Sequence, residues 1–381
     1  MGLNLFSAAP LFPIIIEEYG VSRSAVSLLM VLVFLAFTLC LIPGGIVSSR
    51  LGTRRAVIVS GVLMSAGALT PLTTDIPTLL PLRISFGIGG AILLPSTASL
   101  IVEWFRPTER GVMNAMMLAA QGTGVATAMF LSVPLAEAME WRVVLMIYGF
   151  VAFTAMLVWL ALGRGGRADP AASQTMSARS VLAALRERNT LLLSFALVGP
   201  FAMFIGYSSW LPTYYNEVFD MPLQQATAIL ALLPLMGIVV NLLSGFLLAR
   251  LGLHRPMLAV PGLLFPIGAF GAFYFNNTPV ILASIVLLGF SFWLFLPTVF
   301  TIAMELPGVD MERVALVTAA VLTIGNASTV LSPFLVGVAT DALGAYEPSL
   351  AVLAAMPLTA VIAARSLPET GHRARRRVSA G

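Results

Sequence analysis

Gly45-Ile-Val-Ser-Ser-Arg50-Leu51-Gly52-Thr-Arg-Arg55 returns 200 residues later as Gly245-Phe-Leu-Leu-Ala-Arg250-Leu251-Gly252-Leu-His-Arg255. The shared positions are Gly45 and Gly245, Arg50 and Arg250, Leu51 and Leu251, Gly52 and Gly252, Arg55 and Arg255. Each copy follows one long apolar run and precedes another. A tight basic hairpin between two hydrophobic helices, present in both halves, predicts a duplicated helical membrane bundle.

Composition points the same way. Of 381 residues, 59% are hydrophobic and 10% charged, whereas soluble domains run near 45–50% apolar and about 25% charged. So much apolar surface needs lipid as its solvent, and the bilayer is the first expected partner. The 21 basic residues are all arginine. Their placement follows the membrane, so the net charge of +4 is no nucleic-acid footprint. The single Cys40 lies in an apolar run and forms no disulfide within the chain. His254 and His372 are read as lying in a loop and in the tail, where neither serves as a mid-membrane proton relay or in a metal cluster. No cofactor and no metal site are expected.

The apolar runs predict twelve spans. Residues 1–16 are shorter than the roughly 20 that a crossing needs and lack a basic leader, so they read as a short or clipped first span rather than a signal peptide. The others are expected at about 24–47, 56–74, 78–102, 111–136 and up to 162, then 190–215, 226–248, 256–275, 279–304, 314–342 and 348–364. The domain expectation is a six-helix half over 1–163, a linker over 164–189, a second six-helix half over 190–364 and a basic tail over 365–381. The linker stretch 180–188 has the pattern of a short amphipathic helix at the interface. Loops on the linker side hold 18 arginines and the opposite side holds Arg23 and Arg142. The positive-inside rule therefore puts the linker and both termini in the cytoplasm of a cell with a plasma-type inner membrane.

The duplication extends further. Glu109-Arg110 and Glu312-Arg313 are 203 apart, as are Gly122-Thr123 and Gly325-Asn326. With these repeats, the chain resembles the major facilitator superfamily over essentially its whole length. The hairpins 45–55 and 245–255 are similar to that family's motif between its second and third helices, and Arg83-Ile-Ser-Phe-Gly87-Ile-Gly89-Gly90-Ala91 is similar to its fourth-helix motif. The resemblance implies two pseudo-symmetric six-helix halves around a central cavity that opens to each side in turn, lined mainly by the first, fourth, seventh and tenth helices. It also implies a gating role for Gly45, Arg50, Gly52, Arg55, Gly245, Arg250, Gly252 and Arg255. Two departures stand out. Ser49 and Ala249 occupy positions that are usually acidic in the family motif, and span five, with Gln121-Gly-Thr-Gly-Val-Ala-Thr, lacks the Gly-Pro pair of drug/proton antiporters. Trp210-Leu-Pro-Thr-Tyr-Tyr215 resembles the cyanate-, nitrate- and organic-anion-type carriers.

The residues themselves supply candidate solute contacts. Arg83 is a charge inside a span, which needs a partner or a task. A guanidinium fork suits a carboxylate, and the alternative is that it snorkels or caps backbone carbonyls. Met203, Tyr207, Trp210 and Tyr214 share one helical face, so Tyr207 and Trp210 offer rings to a solute or form an interfacial belt. Trp293, with Pro297 and Phe300, forms a facing wall or a packed interface. The amides Asn114, Gln121, Asn241 and Asn326 need hydrogen-bonding partners in apolar surroundings, either a helix or the solute. Gly87, Gly89, Gly90, Gly122 and Gly124 lie in apolar helices and read as close-packing positions, not nucleotide loops.

The expected function is secondary active transport of a small anionic or zwitterionic solute by a protein working as a monomer, with a proton or an exchanged anion as possible coupling partner. The alternatives are efflux of hydrophobic drugs and, from other classes, a passive channel or a membrane sensor. No arrangement for enzyme catalysis is visible in the spans.

Overall fold

The computed structural model describes residues 1–106, 109–165, 183–251, 253–306 and 311–370. Gly252, residues 166–182 of the expected linker, and the tail from 371 with His372 lie outside the described residues.

The first expected span is not one helix. It consists of α1 (Gly2–Leu5), a 3-10 turn (Ala9–Leu11) and α2 (Phe12–Tyr19), which ends on left-handed Gly20. Next come α3 (Arg23–Leu51) and α4 (Thr53–Met64), the latter running on as a 3-10 stretch, Ser65–Leu72. The chain continues with α5 (Ile76–Trp104), α6 (Arg110–Met139) and α7 (Trp141–Leu162). After the linker follow α8 (Arg188–Val218), α9 (Leu223–Leu230), α10 (Leu232–Leu251) and α11 (His254–Tyr274). The last elements are α12 (Thr278–Glu305), α13 (Met311–Leu343), α14 (Glu347–Ala355) and α15 (Leu358–Ser366). Among the described residues the chain is all-α, and eleven helices are long and apolar enough to cross a membrane, residues 1–19 not among them.

Local chemistry sets several helix starts. Ser22 Oγ accepts the Ala25 N–H ahead of α3. Asp75 and Thr78 form a reciprocal capping box on α5. Asn277 caps α12 through the Val280 N–H. The first basic hairpin is tighter than a loop: Gly52 alone separates α3 from α4, at φ 77°. That backbone angle disfavours any residue with a Cβ.

The chain divides into two compact units. The first is Met1–Thr175 with Tyr215–Ala231, and the second is Met176–Tyr214 with Leu232–Gly381. Residues 215–231, the end of α8 plus α9, thus group with the first unit, although they belong to the second sequence repeat. Within the first unit, α5 packs on α3 and α4, while α7 packs on the 3-10 stretch after α4. Within the second, α12 packs on α10 and α11, while α14 and α15 pack on α11. The same pairing order recurs in both units, which is the structural form of the repeat. Small residues permit the approach: a Cβ on Gly89 would sit 2.9 Å from the Ser60 carbonyl oxygen of α4.

The end of the linker is also specific. Ala183–Glu187 form a turn, with Arg186 N–H donating to Ala183 O at 3.1 Å. Ala184 is buried against Ala320 of α13, with Leu185 beside it. Within the described part of the expected amphipathic stretch, Ala184 is the residue turned inward, while Ala183, Arg186 and Arg188 are exposed.

Candidate functional site

The first unit holds Arg83 about two turns inside α5, 6% exposed. A guanidinium has five N–H donors, and each has an acceptor here. Nε donates to Leu29 O at 3.0 Å. Nη1 donates to Asn4 O at 3.1 Å and Ser7 Oγ at 3.3 Å. Nη2 donates to Leu5 O at 3.2 Å and lies 3.9 Å from Met30 Sδ. The Phe86 ring lies 5.8 Å from the guanidinium carbon. The acceptors come from α1, the break after it, and α3, and none is a carboxylate. A direct anion contact would displace one of these bonds. Beside the guanidinium is a cavity of about 10 Å³ lined by Asn4, Ser7, Thr70 and Arg83 among others, the size of a single water.

Gln121 and Asn114 lie on α6 of the same unit, Asn114 exposed and Gln121 half-buried. The side-chain amides of both make no hydrogen bond to the described residues. At the end of this unit remote from the basic hairpin, the Trp141 indole N–H and the Arg142 guanidinium both engage Glu18, and Arg142 also donates to Tyr19 Oη at 2.9 Å. Arg142 lies over the Tyr19 and Trp141 rings at 5.2 and 4.7 Å. Burial pushes the Glu18 carboxyl up, but the bonds from Trp141 and Arg142 and the arginine charge outweigh it, so the group titrates below its ordinary value. Asp75 is also held low, first by the Thr78 hydroxyl and then by the Thr78 N–H. Arg23 pairs with Glu217 at the same end.

In the second unit, the expected aromatic face of α8 is buried throughout, with Tyr207 and Trp210 at 0% exposure. Its polar atoms bond backbone carbonyls. Tyr207 Oη donates to Leu350 O at 3.0 Å, Trp210 Nε1 to Pro333 O at 2.8 Å, and Tyr214 Oη to Phe273 O at 2.8 Å. Trp293 of α12 donates to Leu233 O at 3.0 Å and packs edge-on against Phe292 and Phe204. Asn241 and Asn326 are half-buried, and their side-chain amides make no hydrogen bond to the described residues. The structure therefore brings Tyr207, Trp210 and Tyr214 into one packed face and leaves the amides uncommitted.

The hairpin residues divide similarly. Arg50 and Arg55 are exposed, and Gly45 has open space beside it. Arg250 lies over the Phe246 ring at 5.8 Å. Arg255 donates to Ala364 O and Arg365 O, both at 2.7 Å.

Sequence reading missed the surroundings of His254. This residue is not in a loop. It opens α11, is buried, and its Nδ1 lies 3.0 Å from Thr370 Oγ1 and 3.5 Å from Glu305 Oε2. The Glu369 carboxylate accepts the His254 N–H at 2.6 Å, and the Arg255 N–H at 3.2 Å. The first unit has a counterpart: Thr53 Oγ1, at the start of α4, donates to Glu103 at 3.1 Å. In both units a carboxylate in the last turn of one helix faces the start of another, where the helix dipole favours it. The signal was present, since Glu103 and Glu305 sit 202 apart, close to the hairpin repeat.

No group of three or more potential metal ligands occurs among the described residues. The arrangement provides one buried cation, Arg83, and several half-buried or exposed amides on apolar helices.

Comparison with known proteins extends these observations. The chain is 25% identical over 241 residues to the chloroplastic ascorbate transporter of Arabidopsis thaliana, covering 57% of this chain but 43% of that protein, so it spans under half of that relative's length. It is 24% identical over 309 residues to the D-galactonate transporter of Escherichia coli O6:H1, covering 72% of this chain and 71% of that one. In structure it matches a mutant of the nucleoside transporter NupG with a TM-score of 0.80 at 13% identity, over 96% of both chains. The named relatives are transporters, not enzymes. The family model described as Major Facilitator Superfamily matches residues 1–333, and with the duplicated all-α bundle this establishes that the chain is a multi-pass membrane protein belonging to the Major Facilitator Superfamily.

Proposed function

We propose that the protein is a secondary active transporter carrying a small anionic or zwitterionic solute across a plasma-type inner membrane by alternating access. In this reading the basic-hairpin end and both termini face the cytoplasm, the protein works as a monomer, and a proton or an exchanged anion is the coupling partner.

One observation carries the reading. Among the described residues, Arg83 is the only charged side chain more than one turn from either end of a membrane-spanning helix. A cationic solute would find no carboxylate at that depth, whereas an anion is favoured at a distance by the Arg83 charge, which no carboxylate among its bonding partners balances and which is weakly screened in low dielectric. The relatives named for galactonate and ascorbate support a hydroxylated organic acid as the solute class. Gln121, Asn326 and the more exposed Asn114 are the proposed contacts, because each uncommitted amide offers both donor and acceptor to a hydroxylated chain. Tyr207, Trp210 and Trp293, with their polar atoms committed to carbonyls, hold the helices of the second unit in place. The paired hairpins are the proposed gating elements.

The test is flux in proteoliposomes, with labelled D-galactonate as probe and tetraphenylphosphonium as contrast. Saturable uptake with counterflow is expected. Gln121→Ala and Asn326→Ala should each raise KM by about tenfold, near the loss of one hydrogen bond of roughly 1.4 kcal/mol. Carriage of the phosphonium with no organic acid carried would replace this reading with drug efflux. Non-saturating flux without counterflow would replace it with a channel.

A further inference from the structure

The interruption of the first span poses a physical problem. A helix end leaves its last carbonyls without intrahelical donors, and in apolar surroundings each carbonyl needs a partner. α1 ends at Leu5 and the next turn begins at Ala9. The carbonyls of Asn4 and Leu5 face this gap, and both accept from Arg83. The same guanidinium holds Ser7 inside the break and Leu29 on α3. Asn4 in turn donates its amide to Tyr148 O of α7 at 2.9 Å. Arg83 thus stands in for the missing helical N–H groups and ties α1 to α3 and α5.

α1 is also in backbone contact with α6. A Cβ on Gly2 would collide with the Gln121 carbonyl, and one on Gly124 would come within 2.8 Å of the Leu3 nitrogen. There is no side-chain cushion between α1 and the turn of α6 that carries Gln121, so a shift of α1 is felt directly at Gln121.

We infer that Arg83 is a positioning residue: it clamps α1 and, through α1, sets the placement of Gln121. This rests on the proposed role of Gln121 as a solute contact. It differs from an ion pair between Arg83 and the solute, for which the guanidinium has no donor left.

Two readouts on the full-length protein test the inference: amide hydrogen exchange over residues 2–8 in detergent, and D-galactonate uptake in proteoliposomes. Arg83→Gln should speed exchange over residues 2–8 by tenfold or more and raise KM about tenfold with a smaller change in kcat. Arg83→Lys has three donors and no fork, so it should not restore the wild-type values. Gly124→Ala, with Arg83 intact, should push α1 off α6 and raise KM comparably, and it carries the test if the Arg83 variants do not fold. A rise in KM for Arg83→Gln with unchanged exchange over residues 2–8, or an unchanged KM in Gly124→Ala, overturns the inference in favour of direct anion contact or no role. If wild-type protein carries no D-galactonate, the proposed solute class fails. The clamp is then judged on exchange alone, where unchanged protection overturns it.

Discussion

Two adjacent residues of α8 show how a single polar atom is valued inside this bundle. Tyr214 Oη has a partner in Phe273 O. Thr213 is fully buried, and its hydroxyl has no hydrogen-bond partner. Removing a satisfied donor strands its acceptor, at a cost of about 1–3 kcal/mol, whereas replacing an unsatisfied hydroxyl by an apolar group of the same shape is neutral or stabilising. Tyr214→Phe should therefore lower the thermal midpoint in detergent, while Thr213→Val should leave it unchanged or raise it. Equal losses in the two variants would mean that Thr213 has a partner in the working protein. The same logic explains why the aromatic face was only half legible. Helical spacing showed that Tyr207, Trp210 and Tyr214 share a side. It could not show whether carbonyls or a ligand lie opposite, because the answer sits on α11, α13 and α14, distant in sequence.

At the scale of elements, the apolar runs and the two hairpins located nearly every helix within a few residues. The breaks escaped. Residues 6–8, the change to 3-10 geometry at Ser65, the step at Ala231 between α9 and α10, and the step at Met356 and Pro357 between α14 and α15 all fall inside unbroken hydrophobic runs. Hydrophobicity reports that a segment prefers lipid and is silent on whether its hydrogen-bond ladder is continuous. His254 illustrates the converse. A histidine beside arginines in a short connection looks like loop chemistry, yet Gly52 shows that such a connection can shrink to one residue, and His254 begins a helix beneath Glu369. The fold was thus readable from period and repeat, whereas the partner of each candidate residue was not.

On the scale of a whole unit, charged side chains near the helix ends tie elements of the first unit together, as in the Arg23–Glu217 and Arg142–Glu18 pairs. At the end of the first unit remote from its own basic hairpin, Glu18, Trp141 and Arg142 join α2 to α7. The folded-state pKa of Glu18 is depressed, so its stabilisation is present above the unfolded glutamate value of about 4.3 and is lost as pH falls through the lower folded value. Both partners are partly exposed, and solvent screening limits the pair to under about 1 kcal/mol. Thermal midpoints of wild type and Glu18→Gln should differ slightly at pH 7 and converge as pH drops below 4. A constant difference down to pH 3 would remove Glu18 from the pH response.

Arg83 is tied by its bonds to helices of one unit, and this has an electrical consequence. A positive charge fixed to the protein is not cargo, so it cannot neutralise an anion in transit. For a monoanion carried alone, the translocated charge is the solute's own. An interior-negative membrane potential then opposes entry by about 2.3 kcal/mol per 100 mV. Accumulation against that field requires a cation moving with the solute or an anion moving out in exchange. Uptake of D-galactonate into vesicles clamped at successive potassium diffusion potentials separates the cases. Exchange of equal charges is indifferent to the clamp, uptake of the anion alone falls as the interior becomes more negative, and symport with more than one proton rises.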